Sequence, residues 1–188
     1  MSRYSIDSRS LRGGELFFAI VGPNHDAHRF LHGAVRAGAR ALVVSRPTEE
    51  PVGEAAVILV PDTTRALQDL AAHVRSLVSP LTVVGITGSC GKTSAKEISA
   101  ALLAGHGPVL SSAGNLNNHY GLPLTLLRLG PGHCRAVCEM GISTPDEMPR
   151  LVEIARPDVG VVLNVNPVHL ENFDSLEGIA AEKGKLIS

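Results

Sequence analysis

Apolar and polar positions follow two rhythms along this chain. Short, nearly unbroken apolar runs read as buried strands, and stretches in which apolar residues return every three or four positions read as amphipathic helices. In the first part, ELFFAI (residues 15–20), RALVVS and AAVILVP (residues 55–61) read as strands. HRFLHGAVRAGA puts Phe30, Leu31, Ala34, Val35 and Ala37 at helical spacing, with Gly38 to close the helix. Asp62 stands where an N-cap belongs, ahead of TTRALQDLAAHVRSLV, whose apolar face carries Leu67, Leu70, Ala71, Val74 and Val78. Pro80 breaks that helix and predicts a domain boundary, giving residues 1–79 and 80–188.

The second part opens with the strand LTVVGIT, a glycine-rich turn and the helix KTSAKEISAALLAG. The Asn- and Gly-rich SSAGNLNNHYG reads as a loop, followed by a short helix around LPLTLLRL. CRAVCEMG reads as a strand ending at Glu139, and TPDEMPRLVEIARP as a helix with Pro145 near its first turn. DVGVVLNVNPVHL reads as a strand reaching His169, with a last helix from Ser175. Val/Ile/Leu strands separated by helices predict an α/β fold with mainly parallel sheets, which gather ligands at the carboxyl ends of their strands. Gly88, Glu139 and His169 all follow such ends. The closing EGIAAEKGKLIS reads as the middle of a helix, without a glycine or proline stop, and predicts a fragment of a longer chain.

Composition narrows the field. With 188 residues, 44% hydrophobic and 19% charged, the chain is that of a packed globular protein. With a net charge of −1, nothing suggests a broad electrostatic grip on nucleic acid or an anionic membrane. An aromatic content of 3% with no Trp argues against base-stacking surfaces. The amino-terminal MSRYSIDSRSLRGG is polar, no apolar run approaches a membrane span, and three cysteines are few and odd in number. Together these predict a cytoplasmic protein.

GITGSCGKTS (residues 85–94) then supplies chemistry. Strand, glycine turn, Lys-Thr and helix form the arrangement that cradles a nucleoside triphosphate. Backbone N–H groups and the helix dipole meet phosphate oxygens, Lys92 bridges the terminal phosphates, and Thr93 reaches Mg²⁺. The glycines stand at 85, 88 and 91, since Ile86 occupies the position where the strict pattern has its first glycine. The other reading is an ordinary strand-to-helix turn with an exposed lysine. Glu139 at a strand end suits a magnesium ligand, or is a solvated residue. Read alone, His169 is an unusual ligand for that metal, and Lys183 is a surface charge.

Taken together, these residues resemble the Mur ligase family, the ATP-dependent amide ligases of peptidoglycan synthesis. GITGSCGKTSAKEISAALL resembles its ATP loop. GNLNNHYGLPLTLLRL, EMGISTPDEMPRL, ARPDVGVVLNVNPVHLENFDSLEGIAAEKGKL and SIDSRSLRGGELFFAIVGPNHDAHRF resemble the MurF branch. The resemblance implies a small amino-terminal UDP-binding domain followed by part of a P-loop ATPase domain. It also implies that ATP phosphorylates the terminal carboxylate of UDP-N-acetylmuramoyl-tripeptide, and that the amine of D-alanyl-D-alanine attacks the resulting acyl phosphate. Gly88, Ser89, Cys90, Gly91, Lys92, Thr93, Ser94 and Asn118 would contact ATP. Two Mg²⁺ would be held by Thr93, Glu139, His169 and a carbamylated Lys183, although Lys185 lies two residues away and only family position separates them. Lys92, Glu139, His169 and Lys183 would carry the catalysis. Ser8, Arg9, Asn24, His25, Asp26, His28 and Asn115 would contact the UDP-muramoyl substrate.

Some features depart from the family or stand outside it. Cys90 occupies a position where many members have Asn, Ser or Val, and His119 one that is often acidic. Cys134 and Cys138, without a second Cys/His pair, read as packing rather than a zinc site. His28 and His32 read as helix surface, and Glu153 with Arg156 as a surface ion pair. The rival assignments are another ligase of the family, such as the enzyme adding the third amino acid, a non-catalytic UDP- or nucleotide-binding module, and a P-loop kinase or GTPase.

Overall fold

The structure is a computed structural model that describes residues 4–48, 50–168 and 170–188. It divides into two compact units, Met1–Asp69 and Leu70–Ser188.

In the first unit, strands β1 (Tyr4–Ser5), β2 (Leu16–Phe18), β5 (Ala41–Val44) and β6 (Ala56–Leu59) form a parallel sheet in the order β1-β2-β5-β6. β3 (Val21–Gly22) and β4 (His25–Asp26) make a small antiparallel hairpin after β2. The expected single helix begins as a 3-10 turn, Ala27–Phe30, and continues as α1 (Leu31–Arg36). Gly38 ends it at φ 95°, a left-handed conformation that glycine adopts without strain. Phe17, Ala19, Leu31, Ala34, Leu42 and Val44 pack into one core, each large side chain worth about 1.5–3 kcal/mol of burial. β6 differs from the expected buried strand: it is the sheet edge, and all four of its residues are exposed.

Helix α2 (Thr63–Leu77) is capped as its sequence predicts, with Asp62 Oδ1 accepting from the backbone N–H of Thr64 at 2.7 Å and Arg65 at 3.0 Å. The division between the units falls inside this helix, at residues 69 and 70, rather than at Pro80.

The second unit carries the parallel sheet β10-β7-β9-β8, made of β7 (Thr82–Thr87), β8 (Val109–Ser111), β9 (Arg135–Glu139) and β10 (Val159–Val162). Helices α3 (Lys92–Ala104), α4 (Gly121–Leu126), α5 (Glu147–Ala155) and α6 (Leu176–Gly184) connect or follow these strands. Val83, Ile86, Val137, Leu122, Leu126, Met148, Leu151 and Ile154 build its core. Three expectations shift here. β10 stops at Val162, well short of His169, because the chain turns there to bond the glycine turn. Helix α6 ends at Gly184 instead of running through the last residues. Glu153 pairs with Arg150 at 2.6 Å instead of with Arg156, whose left-handed backbone (φ 44°) ends α5.

Candidate functional site

β7 lies between β10 and β9, and the register sets Ile86 opposite Glu139 and Thr87 opposite Val162. The glycine turn, Glu139 and the segment after β10 therefore meet at one edge of the sheet. Gly91 adopts φ 80° and caps α3, a left-handed conformation that favours glycine. Gly85 belongs to the strand rather than the turn: an added Cβ would come within 2.8 Å of Met140 Sδ, so its role is close packing. The ammonium of Lys92 donates to the carbonyls of Gly88 at 2.7 Å and Ser89 at 3.4 Å, which draws it over the turn.

The carboxylate of Glu139 is the centre of the arrangement. It is 2% exposed, and its two oxygens accept from Thr93 Oγ1 at 3.0 Å and Asn117 Nδ2 at 2.8 Å. No cationic side chain pairs with it among the described residues. A buried carboxylate beside the hydroxyl of an exposed threonine offers hard oxygen donors of the kind that suit Mg²⁺. Among the described residues, no three His, Cys, Asp or Glu side chains cluster as a metal site. His169 lies outside the described residues.

Lys183 is not a surface charge. It is 2% exposed, with no hydrogen bond or ion pair at its Nζ among the described residues. Burial foremost, and then the ammonium of Lys92, push its pKa below the ordinary lysine value. Lys185 is its opposite, bonded to Glu182 at 2.6 Å and Asp146 at 3.1 Å, which raise its pKa. Glu182 is itself buried and accepts the Met148 N–H at the start of α5 at 2.9 Å, so α6 is locked in rotation with Lys183 facing inward.

Of the remaining nucleotide candidates, Ser94 lies in the first turn of α3, and Cys90 is exposed. Asn118 turns its Oδ1 to the N–H groups of Tyr120 and Gly121, at 3.1 and 2.9 Å, in the turn that leads into α4. Asn115 is exposed, and among the described residues its backbone carbonyl is engaged by the Asn117 N–H. Asn117 is therefore the member of GNLNN that meets Glu139. It fits because Gly141, whose added Cβ would lie 3.0 Å from the Asn117 amide, leaves room.

Sequence reasoning also missed Asn164. Its Oδ1 accepts from the Ser89 and Cys90 N–H groups, both at 3.1 Å, and its Nδ2 donates to the Cys90 carbonyl at 3.1 Å. An Asn following an apolar strand in LNVNP was the available signal, and spacing alone does not say which turn it clamps. Cys138 is fully buried, its thiol pushed up to about 12 by burial, which agrees with packing.

In the first unit, His28 is not helix surface. Its side chain is 5% exposed, Nε2 accepts from the Ser45 N–H at 3.0 Å, and Nδ1 donates to Asp26 Oδ1 at 2.8 Å. Arg46 completes the network by donating to the other oxygen of Asp26 at 2.5 Å. His25 stacks on Phe30 with ring centroids 5.5 Å apart, and Asn24 is exposed beside it. Arg9 spends its fork on Asp7, with Nε and Nη2 donating at 2.9 and 2.8 Å, while Ser8 is half-buried next to it. A pocket of about 310 Å³ opens in this unit, bordered by His28, His32, Arg46 and Glu50.

A parallel sheet with a strand–glycine turn–helix motif, a lysine over the turn and a buried glutamate paired with the exposed Thr93 beside it is the arrangement of the P-loop class. The particular family follows from comparison: the Mur ligase family catalytic domain matches residues 2–75 and the Mur ligase middle domain matches residues 86–188. The chain belongs to the Mur ligase family. It is 46% identical over 182 residues to the UDP-N-acetylmuramoyl-tripeptide–D-alanyl-D-alanine ligase of Escherichia coli K12, covering 97% of this chain and 39% of that protein. The Bacillus subtilis 168 protein of the same name is 40% identical over 183 residues, covering 97% and 40%. Among solved structures, a crystal structure of MurF from Acinetobacter baumannii superposes with a TM-score of 0.91 at 36% identity, covering 97% of this chain and 40% of that one. MurF ligase from Thermotoga maritima in complex with ADP gives 0.86 at 39% identity, covering 98% and 42%. The chain thus spans about two fifths of the length of these relatives.

Proposed function

We propose that this chain is the UDP-binding and nucleotide-binding portion of a cytoplasmic ATP-dependent amide ligase, which joins D-alanyl-D-alanine to UDP-N-acetylmuramoyl-tripeptide. The observation that carries this reading is the Thr93–Glu139 hydrogen bond beside the Lys92 turn, in a chain with MurF relatives. Residues 1–79, which extend past the compact first unit to just beyond the end of α2, would take the UDP moiety, and residues 80–188 would form the first part of the ATPase domain.

The reaction opens with a tripeptide carboxylate oxygen attacking the γ-phosphorus of ATP. The bond to ADP breaks and an acyl phosphate forms. The dipeptide amine then attacks the acyl carbon, loses a proton, and expels phosphate to leave an amide. Two anions must approach in the first step, so positive charge at the γ-phosphoryl is the main requirement. Lys92 supplies one charge from the turn. Thr93 and Glu139 would hold one Mg²⁺, and Glu139, His169 and Lys183 as its carbamate the second. When bound, these ions neutralise the charge that builds on the transferring phosphoryl group. A buried amine with a depressed pKa is disposed to react with CO₂, since the neutral form is the nucleophile. Gly88, Ser89, Cys90, Gly91, Ser94 and Asn118 line the nucleotide side. Ser8, Arg9, Asn24, His25, Asp26, His28 and Asn115 serve the UDP-muramoyl peptide, Arg9 after exchanging Asp7 for phosphate.

Calorimetric titration of this chain with UDP-N-acetylmuramoyl-tripeptide and with ATP, separately, is the first test, with measurable binding of the UDP ligand and weak binding of ATP expected. The full-length polypeptide carrying this sequence should release phosphate only when tripeptide and D-alanyl-D-alanine are both present. Equal turnover with a single amino acid in place of the dipeptide would reassign it to another ligase of the family. Phosphate release without any peptide would favour a P-loop hydrolase or kinase.

A further inference from the structure

Lys96 lies outside the residues proposed for the phosphoryl transfer and the amide-forming step, yet its side chain is fully buried. It stands one helical turn beyond Lys92 on α3 and donates from Nζ to the backbone carbonyl of Ser112 at 2.7 Å. Its other partner is Glu97 at 2.9 Å, a largely exposed carboxylate. Burying an ammonium is costly, and leucine or methionine would fill such a position without that cost. The carbonyl it chooses is informative.

Ser112, just past β8, is a junction. Its N–H donates to the Val137 carbonyl at 3.2 Å, and its hydroxyl accepts the Glu139 N–H at 3.2 Å. Thr93, three residues before Lys96 and on the same helix face, reaches the Glu139 carboxylate. The connections form a closed circuit: α3 through Thr93 to Glu139, Glu139 to Ser112, and Ser112 through Lys96 back to α3. We propose that Lys96 is a positioning residue that sets the separation between the phosphate-binding helix and the Ser112–Glu139 strand ends, and so holds Thr93 and Glu139 at the spacing a divalent cation needs. The inference rests on the proposed nucleotide and metal function of this site. It adds to that function a residue that touches neither phosphate nor metal.

The test compares ADP binding with and without Mg²⁺ in the unsubstituted chain, Lys96→Met and Ser112→Ala. Lys96→Met keeps the volume and removes the tether, whereas Ser112→Ala removes only the hydroxyl that holds the Glu139 amide. Metal-free ADP affinity should stay within about twofold, while the gain in affinity on adding Mg²⁺ falls roughly 10- to 100-fold. Amide hydrogen exchange should quicken at Glu139 in both variants. An undiminished Mg²⁺ gain in folded Lys96→Met overturns the proposal. So does an equal loss of metal-free and metal-bound affinity, which would make Lys96 a general support of the helix. Should Lys96→Met fail to fold by circular dichroism, Ser112→Ala decides alone, and an intact Mg²⁺ gain there is equally fatal. If the unsubstituted chain binds ADP with no Mg²⁺ gain, the metal reading itself fails, and this proposal with it.

Discussion

Lys183 and Lys185 stand two positions apart at the end of α6, and tertiary structure gives them opposite chemistry. Lys185 is held charged by Glu182 and Asp146, so it cannot offer a lone pair. Lys183, buried without a carboxylate partner among the described residues, has a pKa lowered by desolvation and by Lys92. With the folded pKa below the unfolded one, the unfolded chain binds more protons between the two values. The unmodified protein therefore gains stability as pH rises through that window. The same rise exposes the neutral amine that CO₂ attacks. Carbon-13-labelled bicarbonate should yield a carbamate resonance in the unsubstituted chain and in Lys185→Ala, growing as pH increases, and none in Lys183→Ala. A resonance that survives Lys183→Ala, or vanishes in Lys185→Ala alone, would assign the modification to the other lysine.

At the scale of elements, the site depends on the segment just after β10. Asn164 reaches back to the turn after β7 because the two strands are paired in register up to Thr87 and Val162. Replacing it with Ala leaves the Ser89 and Cys90 amides without their side-chain partner. A loss of about 1–2 kcal/mol in local opening energy is expected, read as faster amide exchange at Cys90 in particular, because Ser89 retains a backbone bond to the Asn164 carbonyl. Unchanged exchange would show the clamp to be incidental. The same element shows where sequence and structure part company. β7, the glycine turn, α3 and the Glu139 strand end were legible because local signals agree: a β-branched run, a left-handed glycine and a helical period. The choice of Asn117 over Asn115 and Asn118, the clamp by Asn164 and the burial of Lys96 were not legible. Each depends on which residues strand pairing brings together across tens of positions. Strands β1, β3, β4 and β8 have two or three residues and, unlike β2 within ELFFAI, form no longer apolar run of their own, so they carry too little pattern to register.

At the scale of the molecule, each compact unit has to keep its fold under the same conditions, and in the first unit two carboxylates, Asp26 and Asp7, tie stability to acid. Asp26 is held at a pKa of about 2, against an ordinary 3.8, chiefly by the Arg46 guanidinium and then by the His28 N–H groups, with burial opposing. Asp7 is lowered to about 2 by Arg9, but that arginine is 88% exposed, so water and salt screen the pair and its contribution is small. Asp26 matters more because its carboxylate joins three elements: the β4 end that carries it, the 3-10 turn through His28, and the β5 end through Arg46. Since its folded pKa lies below the unfolded value, its stabilisation is complete above about pH 4 and is lost as pH falls through 3.8 towards 2. Asp26→Asn should therefore lower stability at neutral pH and flatten the acid dependence in that window. Denaturant titration at several pH values, with amide exchange at Ser45 as the local probe, measures both. Under the proposed function, the same substitution should also weaken UDP-muramoyl peptide binding at neutral pH, because the loop carrying Asn24 and His25 would lose its tether to the end of β5. An acid profile as steep in Asp26→Asn as in the unsubstituted chain would place the sensitivity elsewhere and remove Asp26 from the account of how the first unit keeps its shape.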